Sequence, residues 1–590
     1  MFKIFIKKHF WFILSLIFVI PTVFFLFKPG IYWNMHDDMQ MVRQLELEKC
    51  LYDGQIPCRW TPDLGYGYGY PLFNFYPPMP YLVGQIYRTF DFSFVNSVKA
   101  TALTQIVLSS IFMFILAASI FGPLGGFIAS VFYTYAPYHA LNIYVRGAMN
   151  EAWAAVFFPL VFYFSRRLVL EKKIKDVLGL SLSFAGILLS HNPMALTFTP
   201  ILFVWVLFWF FKAYIWSTKK TKIVEFFKQQ IGLIIKLIIS GVVALGFTAF
   251  YTLPVLFETK YVQIESMFTG YYHFSVHFAG LSQLFISNFW GDGASVWGPN
   301  DDMSFMIGYL HWIVPLILII GTGILLARKK RNLKKIDYRY WLILLTILLG
   351  FGAVFMTHNK STFIWFLFPL IQKIQFPWRF LNHSAFLLSF SSAGIVLFLE
   401  KFKFPKKEIL SISLAILVFA INISYFHPIH SGPITDEQKF SGKAWVNQVT
   451  SGIYDYLPKT ARIAAQGPAK DYVDETSLDD DPSSYTISDG QKGSDWMYFN
   501  INLSKDAQIT LSQLAFPNFL VTDNNTQIDY QIEPELGRIV INLSSGNHQI
   551  FVKFINTPIR TVSNYISLAI WIGLAIYLSK RLWMKLIFRR

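Results

Sequence analysis

A short polar stretch occurs near the start of the chain, Asn34-Met35-His36-Asp37-Asp38-Met39-Gln40-Met41-Val42-Arg43. An apolar run, 10–27, precedes it, and another begins near residue 97. Between these runs the chain continues through 60–78, which is rich in glycine, tyrosine and phenylalanine. Because each flanking run is long enough to cross a bilayer, the polar stretch is predicted to open the first loop of a membrane protein.

The composition supports a membrane protein. Charged residues make up 15% of the chain, against roughly 25% in typical soluble domains. The formal net charge is +16, but the lysines and arginines occur in short clusters between apolar runs, as cytoplasmic loops require. This pattern indicates a membrane lipid environment and excludes nucleic acid as a partner.

Apolar runs of spanning length predict a polytopic α-helical membrane protein with about twelve transmembrane helices. The first follows Lys3, Lys7 and Lys8 without a small-residue cleavage site, so we expect it to stay in the protein as a membrane helix. The predicted spans are 10–27, 97–120, 124–143, 151–170, 177–193, 195–211, 231–255, 306–327, 340–356, 380–399, 408–426 and 563–583.

The basic clusters set the predicted orientation. All of them fall in the cytoplasm if both termini are cytoplasmic and 357–379 stays outside as an interfacial or re-entrant segment. The clusters are Lys3/Lys7/Lys8, Arg166-Arg167 with Lys172/Lys173/Lys175, Lys219/Lys220/Lys222, Arg328-Lys329-Lys330-Arg331 with Lys334/Lys335, Lys401/Lys403/Lys406/Lys407, and Lys580-Arg581 with Arg589-Arg590. The outer loops are then 28–95, 256–305 and 357–379.

The block 428–562 is different in character, because short runs of alternating apolar residues are separated by turn signals such as Ser545-Gly546-Asn547. We predict an extracytoplasmic β-sandwich here. The domains are therefore 1–427, a transmembrane domain, 428–562, the β-sandwich, and 563–590, a last helix with a basic cytoplasmic tail. The acidic run Asp479-Asp480-Asp481 is typical of a solvated loop, with calcium binding as the alternative.

The first half of the outer loop predicts a surface helix. Asn34 is a good helix cap and Gly54 a good terminator, and 35–53 contains neither glycine nor proline. Asp37 and Asp38 would lie in the first turn, where the helix dipole keeps carboxylates ionised, as a general base or a metal ligand must be. The alternative is that acids are simply favourable at a helix start.

The second half of this loop offers flat aromatic faces between Gly65, Gly67 and Gly69. Such faces suit sugar rings, and they suit the membrane interface equally well. The two cysteines of the chain, Cys50 and Cys58, both lie in this loop. A disulfide between them would tie the surface helix to the residues that follow it.

The sequence resembles the "6-pyruvoyl-tetrahydropterin synthase-related" membrane proteins, which belong with the bacterial YfhO-like proteins of the GT-C glycosyltransferase superfamily. The resemblance covers most of the chain and is most specific in the first outer loop. It rests on His36-Asp37-Asp38, the stretches 53–60 and 67–76 including Arg59 and Tyr76, Arg146-Gly147-Ala148 with Glu151, Ser190-His191-Asn192, Phe376-Pro377-Trp378-Arg379-Phe380, and Tyr456-Leu457-Pro458.

The resemblance implies a GT-C fold and sugar transfer from a polyprenyl-phosphate-linked donor to a cell-envelope glycan, glycolipid or protein, with inversion at the sugar carbon. It implies that Asp37 is the base and Asp38 its partner or a metal ligand. GT-C families differ in metal use, so a divalent cation, Mg or Mn, stays open. Substrate contacts are implied at His36, Arg59, Tyr76, Arg146, Glu151, His191, Asn192 and Arg379.

Among these, Arg379 is the first choice for the donor phosphate, because arginine binds phosphate in a bidentate manner; Arg146 and Arg59 are alternatives. Glu151 is a candidate second acid or a local ion-pair partner, and His191 a structural hydrogen-bonding residue or a substrate contact. Two other functions compete with sugar transfer. One is a lipid or glycan transporter or flippase, and the other is a non-catalytic cell-envelope scaffold that presents the β-sandwich.

Overall fold

The computed structural model describes residues 2–215, 222–328, 336–479 and 482–587. Several residues discussed above lie outside these ranges. They are Lys219, Lys220, Lys329, Lys330, Arg331, Lys334, Lys335, Asp480, Asp481, Arg589 and Arg590.

Long apolar helices dominate the chain and make it a multi-pass membrane protein. Within the described ranges, 10 helices are long and apolar enough to cross a bilayer. They are His9–Phe27, Phe94–Thr134, Met149–Glu171, Asn192–Ile215, Ile231–Tyr261, Tyr309–Ala327, Tyr338–Met356, Pro377–Lys401, Lys407–Tyr425 and Pro558–Met584.

Two places account for the difference from the twelve predicted spans. The range Phe94–Thr134 counts once among the 10 but contains two helices, which meet at a kink where Gly122 leaves the helical conformation just before Pro123; the predicted spans 97–120 and 124–143 lie on either side of this kink. The predicted span 177–193 is the helix Ile174–Ser190, which has only 17 residues.

Shorter helices connect the long ones. They are Gln40–Tyr52, Leu72–Phe75, Met79–Thr89, Pro137–Ala140 with the π-helical Leu141–Val145, Ile223–Gln229, Leu281–Phe285, Thr362–Leu367, Asp436–Lys439 and Gly442–Thr450. The predicted non-spanning segment 357–379 contains the six-residue helix Thr362–Leu367, in agreement with its short apolar run, and three 3-10 turns begin in it, Asn359–Ser361, Pro369–Ile374 and Pro377–Phe380.

The chain divides into two compact units. The first comprises Met1–Asp38, Val95–Ala244 and Gly270–Ile434, and the second comprises Met39–Phe94, Leu245–Thr269 and Thr435–Arg590.

The centre of the first unit is the helix Leu381–Ser392, all of whose residues are buried. This unit also has a small antiparallel ribbon in which β1 (Ile31–Trp33) pairs with β2 (Ser431–Pro433). The ribbon joins the end of the first span to a segment about 400 residues later in the chain.

The second unit contains the predicted β-sandwich. One sheet has the strand order β3-β6-β10-β9 and the other β4-β5-β11-β7-β8. Alternate residues of the two sheets share one apolar core, as the period of two in their sequences requires. The strands are β3 Val473–Thr476, β4 Tyr485–Lys492, β5 Trp496–Leu503, β6 Ala507–Leu514, β7 Phe519–Asp523, β8 Thr526–Gln527, β9 Gln531–Ile532, β10 Arg538–Leu543 and β11 Gly546–Phe554.

The glycine- and tyrosine-rich stretch 60–78 packs into this sandwich core. Trp60 is 1% exposed, with its ring centroid 5.1 Å from Phe519 and 5.2 Å from Phe554. The Tyr68 hydroxyl donates to Asp474 at 2.7 Å. Most of these aromatic rings are therefore core residues of the second unit and do not form an open platform.

The structure joins Cys50 and Cys58 in a disulfide, with 5.4 Å between their Cα atoms. Cys50 lies in the last turn of the helix Gln40–Tyr52. The bond therefore ties that helix to the loop that carries Arg59 and Trp60.

Candidate functional site

The site is built from the first unit around Asp37. The predicted helix 35–53 begins only at Gln40, so the expectation that Asp37 and Asp38 lie in its first turn is wrong. Tertiary pairing holds the preceding backbone in another conformation: the backbone N–H of Asn34 donates to His430, that of His36 to Val145, and that of Asp37 to Arg146, each at 3.0–3.1 Å.

A close backbone approach fixes this segment from the other side. Gly147 has φ +63°, a conformation that side chains disfavour, and a Cβ at this position would overlap the Met35 side chain. Met35 is buried. The Arg146-Gly147-Ala148 turn therefore requires glycine, because Met35 occupies the space directly above it.

His36 links Asp37 to the loop that contains Asp292. Its Nε2 lies 2.7 Å from the carbonyl oxygen of Asp292, and the Asp292 carboxylate lies 3.7 Å from Nε2 of His430. Asp292 and His430 were not predicted from the sequence. The local sequence signal for Asp292 is its position between Gly291 and Gly293 in the predicted loop 256–305.

Glu151 is the centre of a buried ion cluster. Its Oε2 lies 2.9 Å from Nη2 of Arg146 and 3.2 Å from Nε of Arg379, and its side chain is 1% exposed. Its Oε1 accepts from the Tyr138 hydroxyl at 2.6 Å and from the Asn382 amide at 3.2 Å. The cluster brings together three of the predicted residues: Glu151 is in the first turn of the helix Met149–Glu171, Arg146 is in the turn before it, and Arg379 is in the 3-10 turn Pro377–Phe380.

Both arginines of the cluster are held rigidly. Arg146 lies 4.2 Å above the Trp378 ring and donates to Tyr138 and Asn142. Arg379 donates to the Ile374 carbonyl at 2.7 Å and to the Gln375 side chain at 3.0 Å. One carboxylate between two guanidinium groups leaves the cluster with a net positive charge.

Asp37 is in the electrostatic field of this cluster. Burial acts to lower the pKa of Arg146, but the Glu151 carboxylate, aided by Tyr138 and Asp37, outweighs burial and raises that pKa. Arg146 is therefore a permanent cation. An acid, Asp37, and a net cationic cluster lie side by side in the first unit, linked through the backbone of Arg146.

His191 and Asn192 lie at a helix start. The Nδ1 of His191 accepts from the backbone N–H of Met194 at 3.2 Å, which caps the helix Asn192–Ile215. This is the structural hydrogen-bonding role considered for His191 from the sequence. Its imidazole is also within electrostatic range of Glu151.

Arg59 and Tyr76 belong to the second unit and have structural partners there. Arg59 is 2% exposed and donates to Asn74, to the Phe250 carbonyl and to Asn564. Burial, and next the neighbouring Arg560, lower the pKa of Arg59 to about 9. The Tyr76 hydroxyl accepts from Arg43 at 2.9 Å. Asp38, at the end of the first unit's opening segment, is half-buried.

Asp37 and Asp38 are the acidic side chains at this site that could bind a metal ion. In the described ranges, no group of three or more His, Cys, Asp or Glu side chains is arranged to hold a metal ion. If a cation bound at this site, its acidic ligands would be the carboxylates of Asp37 and Asp38. The mechanism proposed below assigns no chemical step to a metal ion.

Comparisons with known proteins give distant matches. No family model matches the chain. An uncharacterized protein of Lactococcus lactis subsp. cremoris (strain MG1363) is 23% identical over 260 residues, 43% of this chain. The match spans only 41% of the relative's own length.

Two solved membrane glycosyltransferases are similar in structure. The apo oligosaccharyltransferase of Archaeoglobus fulgidus has a TM-score of 0.45 at 12% identity, covering 79% of this chain and 62% of that one. The arabinofuranosyltransferase AftD from Mycobacteria has a TM-score of 0.37 at 10% identity, covering 75% of this chain and 27% of that one. With TM-scores below 0.5, neither likeness assigns an activity to this chain.

Proposed function

We propose that this chain is a GT-C type glycosyltransferase that moves a sugar from a polyprenyl-phosphate-linked donor to a cell-envelope acceptor on the outer face of the membrane. One observation carries the proposal. The backbone of Asp37 is bonded to Arg146, whose guanidinium belongs to the net positive Arg146–Glu151–Arg379 cluster. A carboxylate and a net cationic cluster are thus neighbours in one unit, which supports a base and a phosphate-binding group acting together.

Asp37 is assigned the role of base. It is half-buried, and its backbone is fixed by the Arg146 carbonyl at 3.0 Å. In the proposed step its carboxylate takes the proton of an acceptor hydroxyl while that oxygen attacks the anomeric carbon of the donor. A positioned carboxylate is suited to this task, and attack from the face opposite the phosphate inverts the carbon.

Arg379 and Arg146 are assigned to the leaving group. As the bond between the anomeric carbon and the phosphate oxygen breaks, its electron pair stays on the polyprenyl phosphate, which gains negative charge. Fixed guanidinium donors aimed at developing charge lower the barrier, because they need no reorganisation when the reaction occurs. The buried setting strengthens this interaction relative to water.

Glu151 is assigned the role of a positioning residue and not of a second catalytic acid. Its two oxygens are engaged by Tyr138, Asn382 and both arginines, and it is 1% exposed. A carboxylate with four partners is well placed to orient the guanidinium groups and poorly placed to take a substrate proton.

The test is sugar transfer in membranes, measured with a labelled polyprenyl-phosphate sugar donor. Asp37→Asn should lower the rate at least about 100-fold, the range typical of removing a general base. The matched control is Asp91→Asn, which changes an exposed aspartate of the same outer loop and should leave the rate within about twofold. Transfer that survives Asp37→Asn combined with Asp38→Asn would rule out the proposed base.

A further inference from the structure

A separate cavity of about 360 Å³ lies in the first unit, at the ends of the helices Tyr309–Arg328 and Ile395–Lys401 and the start of Tyr338–Met356. Its size is within the range of small-molecule sites. Arg379 is near the start of the span Pro377–Lys401, whereas Lys401 is its last residue. The cavity is therefore at the opposite membrane face from the Glu151 cluster and takes no part in the proposed transfer reaction.

One side of the cavity is apolar. Leu325, Leu326 and Leu397 line it from two of the membrane helices. These residues lie within the last turns of their helices, at the depth where the hydrocarbon of a bilayer begins. This side therefore suits an acyl chain.

The other side of the cavity carries charges of both signs, and one of its cations is outside the ion pairs. Asp337 binds Nε and Nη2 of Arg339 at 2.9 and 2.7 Å, and Nη1 of Arg339 is not used by this pair. Glu400 pairs with Lys407 at 2.9 Å. Lys401 takes part in none of the ion pairs found among the described residues. The polar side is therefore prepared for an anion.

The neighbouring turn has the composition of a membrane interface. Phe402 and Phe404 are 53% and 49% exposed, and Lys403 and Lys406 are exposed beside them. Exposed aromatic residues are frequent at the headgroup level, and lysines near the membrane surface attract anionic lipids. The surroundings thus favour a ligand from the bilayer over one from solution.

We propose that this cavity binds a glycerophospholipid with an anionic headgroup. The lipid phosphate is held between Lys401 and the Nη1 side of Arg339, and an acyl chain lies along Leu325, Leu326 and Leu397. The phosphate is the shared chemistry of a lipid and of a soluble phosphate ester, and the apolar side of the cavity commits the proposal to the lipid.

The experiment is native mass spectrometry of the purified, delipidated protein titrated with dioleoyl-phosphatidylglycerol. Dioleoyl-phosphatidylcholine and glycerol 3-phosphate are the comparison ligands. Lys401→Glu should weaken phosphatidylglycerol binding at least tenfold. Lys175→Glu is the matched control, since it makes the same charge change at an exposed position of the first unit, outside the cavity lining and its neighbouring turn, and should change binding less than twofold.

A second variant tests the apolar side. Leu326→Trp, at a half-buried lining position, should reduce phosphatidylglycerol binding without a change of charge. The proposal is overturned if Lys401→Glu and Lys175→Glu weaken binding equally, if wild type binds phosphatidylcholine as tightly as phosphatidylglycerol, or if glycerol 3-phosphate displaces the lipid at equal concentration.

Discussion

Glu151 carries more of the first unit's stability than its single charge suggests. It lies between Arg146 and Arg379 with 1% of its side chain exposed, and removing one partner of a buried ion pair leaves uncompensated charge. We expect Glu151→Gln to destabilise the protein by roughly 3–5 kcal/mol, seen as a lower unfolding temperature in detergent. Glu400→Gln, which breaks a half-exposed pair with Lys407, should cost less than about 1 kcal/mol. Equal losses in the two variants would contradict the role given to Glu151.

Asp495 should make the second unit less stable as pH rises. Burial, with a smaller contribution from Asp53, raises the pKa of Asp495 from 3.8 to about 6, against the opposing effect of Lys553. Between these two values the folded chain holds a proton that the unfolded chain has released, so stability falls from about pH 4 to about pH 6.

The Asp495→Asn variant has no such proton to lose. At pH 7.5 it should be more stable than wild type by about 1 kcal/mol, after allowance for solvent screening, and the difference should vanish near pH 4. The measurement is the unfolding temperature at both pH values. Asp529→Asn, an exposed position in the same unit, is the control, and a gain there of the same size would remove Asp495 as the cause.

For individual residues, the sequence identified which side chains belong to the candidate site better than it identified the role of each. Arg146, Glu151 and Arg379 were identified, and the structure brings them together. Asp292 and His430 were missed because their proximity to His36 arises from contacts across hundreds of residues. Local patterns do not encode such contacts.

Among the elements, the loop 60–78 shows why glycine alternates with aromatic residues. Gly69 has φ +82°, and a Cβ there would overlap the Trp60 indole. Gly69→Ala should therefore destabilise the second unit by roughly 2–4 kcal/mol, because it adds both backbone strain and overpacking. Gly467→Ala is the matched control, since no heavy atom lies within 4 Å of a Cβ at that position. The comparison of unfolding temperatures checks the prediction, and an unaffected Gly69→Ala would show that Trp60 can move aside.

Elements with a strong local signal were predicted correctly, and elements set by tertiary pairing were not. The spans and the strands β6, β7, β10 and β11 follow from hydropathy and alternation. The helix expected from residue 35 begins at Gln40, because the β1–β2 ribbon and the Val145 and Arg146 carbonyls take the backbone bonds of residues 31–37.

For the whole molecule, the basic clusters predict the orientation, which cysteine labelling can test. Both native cysteines are in the disulfide, so an added cysteine is the reactive one. We expect Ser545→Cys, in the β-sandwich, to react with a membrane-impermeant maleimide in intact cells. Lys403→Cys should react only after the membrane is opened. The reverse pattern would contradict the proposed outer location of the candidate site.

The segments of the second unit are also joined by contacts that no local sequence pattern reveals. Glu258 accepts from Arg560 at 2.9 Å and from Asn74 at 2.9 Å, and Asn74 in turn accepts from Arg59. Arg59 and Asn74 come from the loop that follows the first span, Glu258 from the end of the helix Ile231–Glu258, and Arg560 from the start of the last helix. Within its own segment, each of these residues has the pattern of an ordinary interfacial residue. The sequence therefore did not predict their association.

The discontinuity of the second unit dictates an order of events during biosynthesis. Its first segment ends at Phe94 and its last begins at Thr435, about 340 residues later, which a ribosome needs roughly 20–70 s to translate. The disulfide between Cys50 and Cys58 joins residues within the first segment, so it can close during this interval. Trp60 cannot be buried until Phe519 and Phe554 have been made. Trp60 and the aromatic residues around it therefore stay exposed for most of the time that the chain is being translated. We expect a chaperone at the translocation site to bind this exposed aromatic surface.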